Sequence, residues 1–160
     1  MNKLKQYCFI LLIIFSNKIY SQNENLKNVE YTIIAEGIDS PFPDLQIVCL
    51  RKHFNLEFLS SEFREKYDLN RQDLYKKKML IQIFSSDKEK DGLDKIELVD
   101  IKENDKELII RYNIINSDKN NDDINLAPFL IVQVPKSKKQ FKFIVNAVEE
   151  IGVPQSIYIK

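Results

Sequence analysis

The chain has no tryptophan, one histidine, two cysteines and three glycines among its 160 residues. Each shortage removes a class of chemistry. Without tryptophan, a flat apolar platform for stacking a sugar ring would have to come from tyrosine or phenylalanine alone. With His53 as the sole imidazole and so few thiols, neither a histidine-rich zinc site nor a structural Cys/His zinc site can be assembled. Gly37, Gly92 and Gly152 are too scattered to form a glycine-rich loop that cradles phosphate. An excess of one charge is missing as well. Lys+Arg and Asp+Glu both number 24, and so balanced a chain argues against nucleic acid as a partner.

Long hydrophobic runs are also scarce, with one exception at the start. Lys3 and Lys5 precede Cys8-Phe9-Ile10-Leu11-Leu12-Ile13-Ile14-Phe15, a run with the length of a secretory signal's apolar region. It falls well short of the ~20 residues that cross a bilayer. Ser21 is a small residue suited to the position before cleavage, so residues 1–21 are expected to be a signal peptide cut before Gln22. Cys8 lies at the front of the apolar run, whereas a lipid-modified cysteine would follow it. Processing therefore leaves Cys49 as the only cysteine, with no intrachain disulfide. It also removes Lys3, Lys5 and Lys18 and leaves an acidic excess of three. Residues 22–28 are expected to be a flexible polar lead-in. Residues 29–160 are expected to form a single domain, large enough to bury a core without a disulfide. The leader implies a periplasmic or secreted protein with no stable membrane insertion after cleavage.

What is present is β-pattern, concentrated over residues 78–135. Four apolar runs (Lys-Met-Leu-Ile-Gln-Ile-Phe, Ile-Glu-Leu-Val-Asp-Ile, Glu-Leu-Ile-Ile-Arg-Tyr-Asn-Ile-Ile and Pro-Phe-Leu-Ile-Val-Gln-Val-Pro) are separated by polar residues and one glycine. Residues 79–84 are apolar on both faces, as an interior strand would be. Leu108, Ile110, Tyr112 and Ile114 alternate with Arg111 and Asn113, and Glu103-Asn104-Asp105-Lys106 reads as a hairpin turn. Before this tract, residues 30–37 and 45–50 read as strands, the first with Tyr31, Ile33 and Ala35 on one face. After it, residues 128–134 and 140–145 read as a pair, and 156–159 as a final edge strand. One helix is expected over residues 55–67, where Leu56, Leu59, Phe63 and Tyr67 form a stripe. Asn55 would cap it, or Ser60 if it starts later, and Glu62 with Lys66 would make an i,i+4 pair. The fold class is therefore mainly β with one helix (α+β), an antiparallel two-layer β-sandwich or half-barrel packed with that helix.

No catalytic constellation emerges. A Ser–His or Cys–His pair would need His53 with Ser40, Ser60, Ser61 or Cys49, and no nucleophile elbow surrounds any of them; Cys49 reads as a small buried hydrophobe. Asp87-Lys88-Glu89-Lys90-Asp91-Gly92 has acidic side chains where a calcium loop places its first ligands and glycine at the sixth position. Its twelfth position, however, is Leu98 where a glutamate is required, with Glu97 one residue early. Asp118-Lys119-Asn120-Asn121-Asp122-Asp123 lacks the glycine and ends on Phe129. Both read as solvated turns. Lys76-Lys77-Lys78 and the lysines of Lys136-Ser137-Lys138-Lys139 read as strand-end charges that discourage edge aggregation. No catalytic, metal or cofactor-binding residues are assigned, and no cofactor is expected.

Gly37-Ile38-Asp39-Ser40, Gln72-Asp73-Leu74-Tyr75-Lys76 and the stretch Ala127-Pro128-Phe129-Leu130-Ile131-Val132-Gln133-Val134-Pro135-Lys136 occur in a telling order. That order resembles the PrcB-like C-terminal domain family, a group of exported bacterial domains associated with protease complexes. Where that family carries a Thr-Gly-Gly-Tyr loop, this chain has Lys90-Asp91-Gly92-Leu93 and keeps one glycine. The resemblance implies an accessory role beside an exported protease rather than a reaction. The expectation is a non-enzymatic exported domain that binds another secreted or periplasmic protein, a protease among the candidates. The alternatives are a small-ligand, glycan or calcium-binding β module, and a hydrolase dependent on His53.

Overall fold

The structure, a computed structural model, describes residues 25–85, 92–117, 125–146 and 148–149. Among them the strands are β1 (Lys27–Asn28), β2 (Thr32–Gly37), β3 (Leu45–Cys49), β4 (Lys78–Phe84), β5 (Lys95–Glu103), β6 (Glu107–Ile115), β7 (Phe129–Pro135), β8 (Gln140–Val145) and β9 (Val148–Glu149). Between β3 and β4 lie two short helices, α1 (His53–Phe58) and α2 (Ser61–Lys66), and a 3-10 turn at Asp73–Tyr75. The strands form two sheets, one in the order β1-β5-β6-β8-β9 and the other β2-β7-β4-β3. The protein is thus mainly β with few helices, a β-rich α+β fold.

The continuous apolar runs of β4 and β7 are explained by burial on both faces. Met79, Ile81 and Ile83 of β4 and Leu130, Val132 and Val134 of β7 share one core with Ile96, Ile101, Leu108, Ile110, Tyr112, Phe141 and Phe143 of the other sheet. The alternate residues Leu80, Phe84, Phe129 and Ile131 share a second core with Phe54, Leu59, Phe63, Leu69 and Leu74 of the helical segment. The β5–β6 hairpin closes as its sequence predicts, with Asn104 Oδ1 accepting from the amides of Lys106 (2.8 Å) and Glu107 (2.6 Å). On β6, Leu108, Ile110 and Tyr112 are buried in alternation with Ile109 and Arg111.

Several expectations are revised. The single helix over 55–67 is two helices broken at Leu59 and Ser60. Leu59 is extended (φ −93°, ψ 136°) and buried, while Ser60 caps α2 by accepting from the Phe63 amide at 3.1 Å. Asn55 caps nothing; it lies within α1 and is buried among side-chain partners. Lys66 turns away from Glu62 to Asp39. The expected pairing of 128–134 with 140–145 does not form. β7 lies between β2 and β4, whereas β8 crosses to the other sheet and runs parallel to β6, the one parallel ladder among the described strands. Burial of Phe141 and Phe143 in the inter-sheet core holds β8 there. β2 begins at Thr32, and a bulge between Ile33 and Ala35 breaks the period-two face, so Tyr31 and Ile33 are exposed while Ala35 is buried. Lys27 and Asn28, at the end of the expected lead-in, pair with Glu103 and Lys102. The expected signal peptide and the expected strand at 156–159 lie outside the described residues.

Candidate functional site

Gly37 closes β2, and its backbone is gripped on two sides. A Cβ at this position would stand 2.7 Å from Phe129 Cε1 and 2.8 Å from the Tyr67 hydroxyl. The chain needs glycine here for close packing. After Gly37 the chain stays beside the start of β7: the Ala127 amide donates to the Ile38 carbonyl (3.0 Å) and the Ser40 amide to the Ala127 carbonyl (2.8 Å). Ser40 then binds its own turn, its hydroxyl donating to the Phe42 carbonyl (2.8 Å) and accepting from the Phe42 amide (3.3 Å).

Asp39 is the polar anchor of this loop. Its carboxylate accepts from Lys66 Nζ at 2.7 Å and from the Tyr67 hydroxyl, and the Lys66 ammonium lies 5.0 Å from the Tyr67 ring centre. Partial burial works against the charged carboxylate, but the hydrogen bonds from Lys66 and Tyr67 prevail and hold it below its ordinary range. Burial, reinforced by the bond to Asp39, pushes the Tyr67 phenol up. The arrangement joins the end of α2 to the β2–β3 loop as a charge-assisted clamp.

Beside it, a cleft of about 230 Å³ is lined by Glu36, Gly37 and Ile38 on one side and by Asp94, Lys95, Ile96 and Ser117 on the other. At the opposite end of β2 a groove of about 340 Å³ runs between residues 29–32 and Lys78, Gln133, Val134 and Pro135. Between the two cavities lies the outer edge of β2. Among the described residues this strand pairs only with β7. Tyr31, Ile33 and Ile38 along it are 41%, 48% and 49% exposed.

A second polar group is buried under α1. Gln82 is fully buried in the middle of β4 and donates its amide to Cys49 Sγ (3.0 Å) and to Asn55 Oδ1 (2.7 Å), while Asn55 Nδ2 donates to the Tyr75 hydroxyl (2.8 Å). Gln82 Oε1 has no hydrogen-bond partner among the described residues. Burial pushes the Cys49 thiol up to about 12, against the bond from Gln82, and pushes the Tyr75 phenol up as well. Both groups are neutral at ordinary pH and accept from the two amides, so the network orients α1 without offering a nucleophile. Nearby, Gln133 Nε2 donates to the Leu74 carbonyl (2.9 Å).

The candidate catalytic partners are not brought together. His53 pairs with Glu57 one turn along α1 at 2.8 Å, with both side chains exposed. Ser40 binds its own turn and Ser60 caps α2. Of the Asp87-to-Leu93 loop only Gly92 and Leu93 are described, and residues 118–124 are not. No cluster of three or more metal-ligating side chains occurs among the described residues. Lys78 donates to Gln133 Oε1 (3.1 Å) and Lys139 pairs with Glu103 (2.8 Å), so two of the strand-end lysines have local partners.

Sequence reasoning missed the Asp39–Lys66–Tyr67 clamp and the Gln82–Asn55 pair. Gln82, a lone amide in an apolar run with both faces covered, was the available signal for the second. The clamp left none, because its members are 27 and 28 residues apart. No family model, curated protein or solved structure matches the chain.

Proposed function

We infer that the chain is an exported, non-enzymatic accessory domain that binds another secreted or periplasmic protein, a protease being the partner class to test first. It would act in assembly, stabilisation or inhibition. The carrying observation is the outer edge of β2, a strand that pairs on one side only among the described residues, along which Tyr31, Ile33 and Ile38 are exposed. Apolar side chains beside unpaired backbone donors and acceptors are costly to leave in water and favour a protein partner. The leader over residues 1–21 supports export, and we read 29–160 as one PrcB-like domain. The three elements of the resemblance meet in space, which favours that reading: Gly37 packs on Phe129, Asp39 bridges to Ala127, and Gln133 binds Leu74. We read the two sheets, joined through their shared core, as a β-sandwich with α1 and α2 on the outer face of the β2-β7-β4-β3 sheet.

A small-ligand reading has weaker support. The two cavities, about 230 and 340 Å³, lie at or below the lower end of ligand pockets, roughly 300–1,000 Å³. Capture of exported proteins on the immobilised processed chain, followed by protease assays with and without it, tests the accessory reading. A specific partner whose activity or maturation shifts is the expected result; a chain that recovers no partner and alters no exported protease counts against it.

A further inference from the structure

We propose that the free edge of β2 takes up an extended segment of its partner as an added strand, selecting a segment with an aliphatic and a basic residue two positions apart on one face. The proposal rests on the accessory reading above and names the chemistry of its partner. An added strand satisfies the outward backbone groups of β2 directly, and side chains opposite β2 supply selectivity.

The side chains of β2 set that selectivity. Ile33 pairs with Val132 and Glu36 with Leu130, and both partners belong to the inter-sheet core. Ile33 and Glu36 therefore occupy the same face of β2, although both are exposed. They are three apart in sequence, but the bulge between Ile33 and Ala35 inserts an extra residue, so their partners on β7 are two apart. A regular strand on the other edge meets the same spacing: an aliphatic residue against Ile33 and a charged one against Glu36.

The charge required is positive. Glu30 and Glu36 are exposed, and neither forms an ion pair among the described residues. Lysines stand near both ends of β2, but neither forms an ion pair with these carboxylates among the described residues. Lys78, on β4, reaches across to β7, where Gln133 holds it. Lys95 lies across the cleft on the other sheet. A basic residue directly across the ladder stands at about 5 Å. A second copy of this chain supplies no matching cation. With the bulge counted, a two-fold axis at Ile33 sets Glu36 against Tyr31 of the other molecule.

The test uses short, blocked, fluorescent peptides of alternating valine and threonine, titrated against the full processed chain by anisotropy. One peptide has a lysine two positions from a valine, a second has glutamate there, and a third has the lysine peptide's backbone N-methylated along its pairing edge. The lysine peptide is expected to bind, the glutamate peptide roughly fivefold more weakly, and the methylated peptide not at all. Glu36→Lys reverses the lysine–glutamate preference, and Ile33→Asp abolishes binding while leaving the thermal midpoint unchanged. Absent binding, a preference that Glu36→Lys does not reverse, or equal binding of the methylated peptide overturns the proposal. So does a dimer in sedimentation that Ile33→Asp dissociates, since it assigns the edge to a second copy. If Ile33→Asp still captures the exported partner, the β2 proposal falls while the accessory reading stands; if the unaltered chain has no exported partner, the accessory reading falls whatever the peptides do.

Discussion

Gly37 lies so close to Phe129 that a methyl group on residue 37 would stand 2.7 Å from the ring carbon Cε1. This approach lets the end of β2 pass over the aromatic group formed by Phe63, Tyr67, Phe84 and Phe129, whose neighbouring rings lie 4.7–6.3 Å apart. Gly37→Ala sets two effects against each other. Alanine restricts the unfolded chain, a gain of about 0.4–1 kcal/mol. Forcing a carbon into a packed aromatic core costs about 1–3 kcal/mol. The clash wins, and urea unfolding is expected to show a net loss of about 1–2 kcal/mol. An alanine variant as stable as the parent would show that the ring has room to move.

Asn55 and Gln82 form a buried pair whose members depend on each other. Asn55→Ala leaves the Gln82 amide with Cys49 alone and removes the partner of the Tyr75 hydroxyl. Its cost should reach about 1–3 kcal/mol, as for buried polar groups that lose a partner. In a double-mutant cycle with Gln82→Leu, a coupling above about 0.5 kcal/mol is expected, because the second substitution removes a group that the first has already deprived of its Asn55 partner. Strict additivity in chemical denaturation would contradict the pairing.

The lowered pKa of Asp39 has a definite sign for stability. A carboxylate whose folded value lies below its unfolded one stabilises the fold at all pH above the ordinary 3.8, and that contribution disappears as pH falls through the lower folded value. Asp100 follows the same rule, since its bonds from Arg111 and Lys102 depress it despite partial burial. Urea midpoints between pH 6 and pH 2 should therefore decline more steeply below pH 4 in the parent than in Asp39→Asn or Asp100→Asn. An unchanged slope in both variants would mean that neither carboxylate is held in its charged form.

Cys49 should be inert while the protein is folded. Its side chain is buried and its thiol is pushed up to about 12, so the reactive thiolate is scarce and inaccessible. Iodoacetamide labelling, localised to the Cys49 peptide by mass spectrometry, should be negligible in buffer and rapid in urea, with a midpoint matching global unfolding. Labelling without denaturant at the rate of a free thiol would place Cys49 at the surface instead.

The β-rich class, the hairpin at Asn104 and the doubly buried character of residues 79–84 were legible in the sequence, because each depends on local pattern: a period of two, turn residues at fixed places, and apolar residues on both faces. Ser60 as a helix start was legible for the same reason. Strand partners were not. β7 and β8 are adjacent in sequence, joined by a short lysine-rich link, and look like a hairpin, yet Phe141 and Phe143 bury beside β6 in the other sheet. Local pattern cannot choose between two partners that both offer apolar faces; the choice falls to the packing of side chains far apart in the chain.

The stretch now proposed to bind a partner gave the least warning. Tyr31, Ile33 and Ala35 alternate as a buried face would, and only the bulge and the place of β2 at the rim of its sheet leave Tyr31 and Ile33 in water while Ala35 is covered. Composition and periodicity determined that this segment is a strand with an apolar face. The tertiary structure decided that, among the described residues, β2 lies at the rim of its sheet with this face open, because a strand's place in its sheet is set by packing between residues far apart in the chain, which no local pattern records.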